Sequence, residues 1–179
     1  MNNITRNWRR RLVPSLVVLL LMGVAGARVQ SAPSAKTPEI AWTKSKPGDR
    51  DEYVRTLQYL LRAKSYKVNP DGVFGVATKN AVVKFQRSHG LKADGIVGGQ
   101  TWKALIVTVK RGSKGDAVRA LQNELIAIGM DAGVAVDGNF GQKTENAVKM
   151  LQENYQQKKN GVVGLNTWGA LLQYEEGDY

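Results

Sequence analysis

The chain carries one sequence pattern twice, and this internal duplication constrains its fold more than any other feature. The first copy begins Asp-Gly-Val-Phe-Gly at residues 71–75, and the second begins Asp-Gly-Asn-Phe-Gly at residues 137–141. Equivalent positions lie 66 residues apart through most of the pattern, and 64 apart in the segment that precedes it. A repeat this long exceeds one solenoid unit. It fits two small domains in tandem.

Periodic apolar residues predict three helices in each copy. In the first, Val54, Leu57 and Leu61 form one helical stripe, which predicts a helix over 49–64. A second helix is predicted over 76–88, ended by His89-Gly90, and a short third helix carries Trp102 and Leu105. The second copy repeats this order over about 115–129, 142–157 and 165–173. The expected fold is all-α, with two tandem small orthogonal three-helix bundles over 46–106 and 107–174.

The N-terminus has the features of an export signal. Residues 1–27 combine a basic start, an uncharged apolar run and a small-residue Ala25-Gly26-Ala27 cleavage site. The alternative is an uncleaved membrane anchor. However, the apolar run would span about 24 Å as a helix, against about 30 Å of hydrocarbon. We therefore expect a signal peptide over 1–27, export to the periplasm or cell wall, and an extended linker over 28–45.

The net charge leaves the nature of the partner open. The formal net charge is +11, and the last five residues, 175–179, form an acidic tail. A basic surface attracts polyanions at long range. However, the basic residues are scattered among acids, which is equally typical of an ordinary solvated surface. Nucleic acid would be a generic partner, but the export signal argues against it.

The few chemically reactive residues argue against catalysis. There is no cysteine and only one histidine, His89. Disulfides and cysteine nucleophiles are thereby excluded, and one histidine cannot build the usual catalytic zinc site. A serine nucleophile would need His89 as its base, with only Ser88 beside it. Spacing alone leaves paired carboxylates open, although the acids fall in turns and on exposed helix faces. We expect a non-catalytic protein without metal or cofactor.

The junction between the copies is apolar rather than flexible. Residues 106–111 begin Ile-Val-Thr-Val, whereas a flexible linker would be rich in glycine and serine. This composition predicts that the two bundles are held close together. It also allows a short paired segment at the junction.

The repeated motif resembles the bacterial peptidoglycan-binding domain of the three-helix type. The resemblance rests on Leu-Gln, Asp-Gly-x-Phe-Gly-x-x-Thr-x-x-Ala-Val, Phe-Gln, and Asp-Gly-Ile-Val-Gly-x-x-Thr-Trp, and it covers about residues 46–172. Such modules are commonly attached to cell-wall amidases, carboxypeptidases and lytic enzymes. The resemblance implies non-catalytic binding of peptidoglycan. The alternative is an interaction scaffold that recruits a separate wall hydrolase or transpeptidase.

The second copy departs from the motif in a few places. Phe85 is replaced by Leu151, Gly90-Leu91 by Gln156-Gln157, and Asp94 by Asn160. A carboxylate is thereby lost from the second turn. We expect the second copy to bind its ligand more weakly or differently.

Most motif residues have a structural interpretation. Asp71 and Asp137 are typical turn formers. The aromatic residues Phe74, Phe140, Trp102 and Trp168 are expected in the core. Glutamines 58, 86, 122 and 152 lie beside core positions, so we expect their amides to bond loop backbone.

A functional interpretation concerns the surface where the Asp-Gly turns meet. In the first copy both turns precede a predicted helix start, at Val76 and Gly99, where free amides favour anionic or carbonyl groups. The candidate ligand-binding residues are Asp71, Thr78, Asp94, Gln100 and Trp102, with the counterparts Asp137, Thr144, Asn160, Asn166 and Trp168.

Overall fold

The structure, a computed structural model, describes residues 40–130 and 133–173. The predicted signal peptide over 1–27, most of the predicted linker, and the acidic tail lie outside the described residues. Six helices are found within them: α1 Glu52–Ala63, α2 Val76–Ser88, α3 Gly99–Leu105, α4 Asp116–Ala127, α5 Gln142–Asn154 and α6 Leu165–Leu171. Helices α1–α3 form module 1 and α4–α6 form module 2, which confirms the all-α tandem fold. None of these helices is long and apolar enough to cross a membrane.

Local sequence explains where the helices begin and end. Asp51 caps α1 by accepting a hydrogen bond from the Val54 amide at 2.8 Å. Asp49 lies outside the helix, where its carboxylate accepts from the Lys46 amide, so the predicted start at residue 49 was three residues early. The bounds of α2 match the prediction. Gly90 follows its end with φ +65°.

Helix α5 ends at Asn154, three residues before the predicted end at 157. Tyr155 caps the helix, and Gln156 has a left-handed backbone with φ +52°. Because a left-handed residue cannot continue a right-handed helix, the apolar pattern overestimated its length.

One apolar core runs through both modules. Trp102, Trp168, Phe74 and Phe140 are at most 2% exposed, which confirms their expected core role. Trp102 and Trp168 also satisfy their indole N–H groups. Trp102 Nε1 donates to the Thr43 carbonyl at 2.8 Å, and Trp168 Nε1 donates to the Val107 carbonyl at 2.9 Å.

The segment before module 1 corrects the prediction of an exposed linker reaching residue 45. Trp42, Thr43 and Ser45 are buried. Ser45 and Val97 exchange backbone hydrogen bonds at 3.0 and 2.8 Å. Val109 and Val163 make the equivalent antiparallel bridge in module 2, which confirms the paired segment expected at the junction. The folded module 1 therefore begins at about residue 42, before the predicted start at residue 46.

The modules are docked through α1 and α4, which confirms that they are held close together. Asn123 Nδ2 donates to Thr56 Oγ1 at 3.0 Å, and Thr56 Oγ1 donates to the Ala120 carbonyl. Arg62 near the end of α1 pairs with Asp116 at the start of α4, at 3.1 Å. These contacts place the two helices antiparallel.

A second connection joins the ends of the described chain. The Thr43 amide donates to the Leu172 carbonyl at 2.7 Å, and Trp42 bridges Gln173. By the offsets of the repeat, residue 43 is equivalent to residue 107, and residue 172 is equivalent to residue 106. Residues 106 and 107 are joined by a peptide bond at the junction. Residues 172 and 43, at the equivalent place between the other ends of the modules, are joined by a backbone hydrogen bond.

Candidate ligand-binding site

Each Asp-Gly turn is held by a buried glutamine from the preceding helix. In module 1, Gln58 Nε2 donates to Asp71 Oδ1 at 2.8 Å, to the Val73 carbonyl at 3.0 Å and to Thr78 Oγ1 at 3.0 Å. Its Oε1 accepts from the Gly72 amide at 2.8 Å. The glutamine amide is therefore fully engaged, as the sequence predicted.

The same arrangement occurs four times, twice in each module. The other three sets are Gln86 with Asp94, Gly95 and Thr101; Gln122 with Asp137, Gly138 and Thr144; and Gln152 with Asn160, Gly161 and Thr167. Each module thus contains an inner repeat, a helix followed by a turn, that the sequence analysis missed. The recurring Gln and the fixed seven-residue step from Asp or Asn to Thr could have revealed it.

The turn carboxylates are stabilised in their charged form. The Val73 amide, and then the Gln58 side chain, hold the pKa of Asp71 below its ordinary value. The Ile96 amide lowers the pKa of Asp94, and the Asn139 amide lowers that of Asp137. In the fourth turn Asn160 Oδ1 accepts the corresponding bonds without a charge.

Six of the ten predicted site residues are exposed and four are not. Asp71, Asp94, Gln100, Asp137, Asn160 and Asn166 are exposed. Thr78, Thr144, Trp102 and Trp168 are at most 3% exposed, so the structure corrects their assignment as direct ligand contacts. The threonines support the turns through glutamine, and the tryptophans fill the core.

A polar groove of about 540 Å³ runs along the second turn of module 2. It brings together Asn160 and Asn166 from the predicted set with Gln156, Gln157 and Lys158. The prediction had placed a cleft where the two turns of a copy meet, whereas this groove lies along one turn. Sequence analysis noted both glutamines only as departures from the motif. The available signal for this groove was Gln156, which replaces the Gly90 of the first copy.

A second groove, of about 570 Å³, lies in module 1 between the end of α1 and the start of α2. Its lining includes Arg62, Ser65, Tyr66 and Lys67 but no predicted site residue. Ser65 has φ +68°, and it shares with Gln156 a left-handed backbone that is unusual outside glycine. Each groove therefore contains one such residue.

The single Ser–His pair caps a helix end. Ser88 Oγ lies 3.0 Å from His89 Nδ1, and both groups also contact the Phe85 carbonyl, at 2.8 and 2.9 Å. The His89 ring stacks on Phe85 at 4.0 Å. Within residues 40–130 and 133–173, no group of three or more His, Cys, Asp or Glu side chains could hold a metal ion.

Comparison with known proteins finds one family on both modules. The family described as "Putative peptidoglycan binding domain" matches residues 50–105 and 114–171. A probable N-acetylmuramoyl-L-alanine amidase of Bacillus licheniformis is 33% identical over 85% of this chain and 51% of its own length. A zinc D-Ala-D-Ala carboxypeptidase of Streptomyces albus G is 35% identical over 44% of this chain and 30% of its own length.

Among solved structures, a peptidoglycan-binding protein from Clostridioides difficile in complex with glutamine hydroxamate is similar. It is 41% identical over 35% of this chain and 40% of its own length, with a TM-score of 0.35. The chain spans about half the length of the amidase relative and less than a third of the carboxypeptidase.

Proposed function

Because this chain belongs to the peptidoglycan-binding domain family, we propose that it binds peptidoglycan without cleaving it. The observation that carries the proposal is that both modules, each with a complete set of three helices, match that family. Peptidoglycan lies outside the cytoplasmic membrane, so an extracytoplasmic location is part of the same proposal. The sequence-predicted signal over 1–27 is in keeping with it.

The proposed contact surface consists of the exposed residues of the predicted set, which lie in the turns and at the starts of α3 and α6. Gln100 and Asn166 occupy equivalent positions in α3 and α6, and both are exposed. Their amides can donate to and accept from the N-acetyl and peptide groups of the polymer. Two weak sites held on one docked unit would gain affinity on a repeating polymer, if both engage at once.

The proposed role is targeting rather than hydrolysis. Ser88 and His89 both contact the Phe85 carbonyl, an arrangement that completes the end of α2. The amidase relative aligns over 51% of its length, so that protein contains a large part outside the alignment. This favours, as a second candidate, a scaffold role in which the present chain recruits a separate wall enzyme.

A pelleting assay tests both candidates. The full chain would be mixed with purified insoluble peptidoglycan at low salt and at about 0.3 M salt, where exposed charges are well screened. We expect retention that survives salt and falls in the Gln100→Ala and Asn166→Ala double variant. Thr108→Ala, at an exposed residue of the junction, is the matched control.

The outcomes separate the two roles. Retention that disappears with salt and ignores the double variant would contradict specific binding. Retention only after a wall hydrolase is added would favour the scaffold. Release of soluble fragments from the polymer by the purified chain would contradict the non-catalytic assignment.

A further inference from the structure

We propose that the groove along the second turn of module 2 binds a carboxylate next to peptide amide groups, as at the free end of a wall peptide. This inference rests on the proposed function and names the part of the polymer that module 2 recognises. The groove is open to solvent and has a volume of about 540 Å³. Six of its ten lining residues differ from their counterparts in module 1, among them Gln156, Gln157 and Asn160.

Lys158 is a cation without an ion-pair partner among the described residues. In module 1, Lys92 Nζ pairs with Asp94 Oδ2 at 3.3 Å. Module 2 keeps the lysine, as Lys158, but replaces the acid by Asn160. Within the described part of the chain, no carboxylate lies within ion-pair distance of Lys158, which lines the groove. Losing the acid leaves this charge available to an anionic ligand.

Two hydrogen bonds fix the orientation of the Asn160 side-chain amide. Its Oδ1 accepts from the Val162 amide at 2.9 Å and from Gln152 Nε2 at 3.1 Å. Both donors are N–H groups, so they fix the oxygen on the inner side of the turn. The Asn160 Nδ2 group is thereby left as a donor, and Asn160 and Lys158 line the same groove. A carboxylate accepts from both an ammonium and an amide donor.

The rest of the lining adds amide groups and apolar residues. Gln157 is locked, because its Nε2 donates to the Asn166 carbonyl at 2.9 Å and its Oε1 accepts from Thr167 Oγ1 at 2.9 Å. Leu165 is 48% exposed at the groove, where module 1 has Gly99. The groove therefore offers a cation, amides and two apolar residues, Val162 and Leu165, but no acid. This set suits a peptide end with small apolar side chains better than an uncharged sugar.

Module 2 retains a conformational cost at Gln156. Gln156 has φ +52°, whereas its counterpart Gly90 adopts φ +65° without a side chain to strain. A non-glycine residue in this region is unfavourable and recurs at ligand sites. Gln156 is one of the residues that line the groove, so ligand binding there would account for a glutamine at this position.

The test is a nuclear magnetic resonance titration of the full chain. The probes are Nα-acetyl-Lys-D-Ala-D-Ala, the same peptide with a C-terminal amide, and an N-acetylglucosamine trimer. We expect the free acid to shift the backbone amides of residues 156–167, and to bind at least about fivefold more tightly than the peptide amide, as expected for one partly exposed charge contact. The Asn160→Asp variant should lose this preference.

Asn160→Asp introduces the residue that module 1 already accommodates, so the turn is expected to fold. The control is Thr108→Ala, at an exposed residue of the junction, which should leave binding in the groove unchanged. Equal affinity for the acid and the amide, shifts outside the groove, or a stronger response to the sugar would each overturn the inference.

The pelleting assay separates this inference from the proposed function. Retention on peptidoglycan without a response to the peptide acid would overturn the carboxylate site and leave wall binding in place. A response to the peptide acid without retention would support the groove as a carboxylate site and contradict wall binding.

Discussion

Module 1 has Gly90 and Asp94 where module 2 has Gln156 and Asn160, yet the hydrogen bonds beneath these residues are the same. Gln86 Nε2 reaches Asp94 Oδ1 at 3.3 Å, and Gln152 Nε2 reaches its Asn counterpart at 3.1 Å. The turn needs an acceptor oxygen at this position but does not need its charge. The comparison shows that the buried glutamine network sets the backbone, while the exposed residues above it are free to change binding properties.

The largest effect on stability is expected at Trp42, because the equivalent position at the junction has a smaller residue, Ile106. Trp42 is 9% exposed, and Ile106 is its half-buried counterpart at the junction. We expect Trp42→Ala to lower the free energy of unfolding by about 3 kcal/mol and Ile106→Ala by about 1 kcal/mol, because less apolar area is lost at Ile106. Urea-induced unfolding of the full chain measures both. Equal losses would show that the N-terminal segment is no better packed than the junction.

The next effect tests whether the two glutamine networks are equivalent. Gln86→Ala and Gln152→Ala should each cost about 2 kcal/mol, since each leaves a buried glycine amide without its acceptor. Thermal and urea unfolding would measure the change, with exposed Gln100→Ala as a control near zero. A much smaller loss for Gln152→Ala would mean that the turn of module 2 is held by other contacts.

A smaller, stabilising effect is expected from substitutions at the two non-glycine residues with a left-handed backbone, Ser65 and Gln156. Gln156→Gly and Ser65→Gly should each raise the free energy of unfolding by about 0.5 to 1 kcal/mol, because glycine adopts positive φ without strain. Gly90→Gln is the reciprocal control. Because open space surrounds Gly90, the only cost expected there is backbone strain, and module 1 should be destabilised by a similar amount. Stabilisation by Gln156→Gly together with weaker peptide binding would identify a residue kept for function. Destabilisation would contradict the strain argument.

Local pattern was enough to predict the helices and the role of the glutamines. The bounds of α2 follow from one apolar stripe and from His89-Gly90 at its end. Both signals lie in the helix itself or directly after its last residue. The core tryptophans were predicted for the same reason, since a bundle of this size needs large apolar side chains.

Contacts between distant residues were not predictable in the same way. Trp42 lies in a segment with few apolar residues, and its burial depends on partners near residues 99 and 173. The groove of module 2 likewise requires the end of α5 and the start of α6 to come together. Its residues were visible in the sequence as departures from the motif, but only their positions in space show that they line one surface.

The smallest effect concerns acid stability and isolates the carboxylate itself. The pKa of Asp94 lies below its ordinary value of 3.8, chiefly because the Ile96 amide bonds the charged form. In acid the unfolded chain therefore binds this proton before the folded chain does. The stability from Asp94 is present above about pH 4 and is lost as the pH falls through the lower folded-state pKa.

Exchanging this residue between the modules should change that pH dependence in opposite directions. Asp94→Asn should reduce the slope of unfolding free energy against pH below about pH 4, and Asn160→Asp should increase it. At neutral pH both changes should be within about 0.5 kcal/mol of zero, because the turn keeps its acceptor oxygen and the exposed charge contributes little. Urea unfolding across the acid range would measure the slopes. An unchanged slope in both variants would show that the turn position carries no linked proton and would contradict stabilisation of the charged carboxylate by the fold.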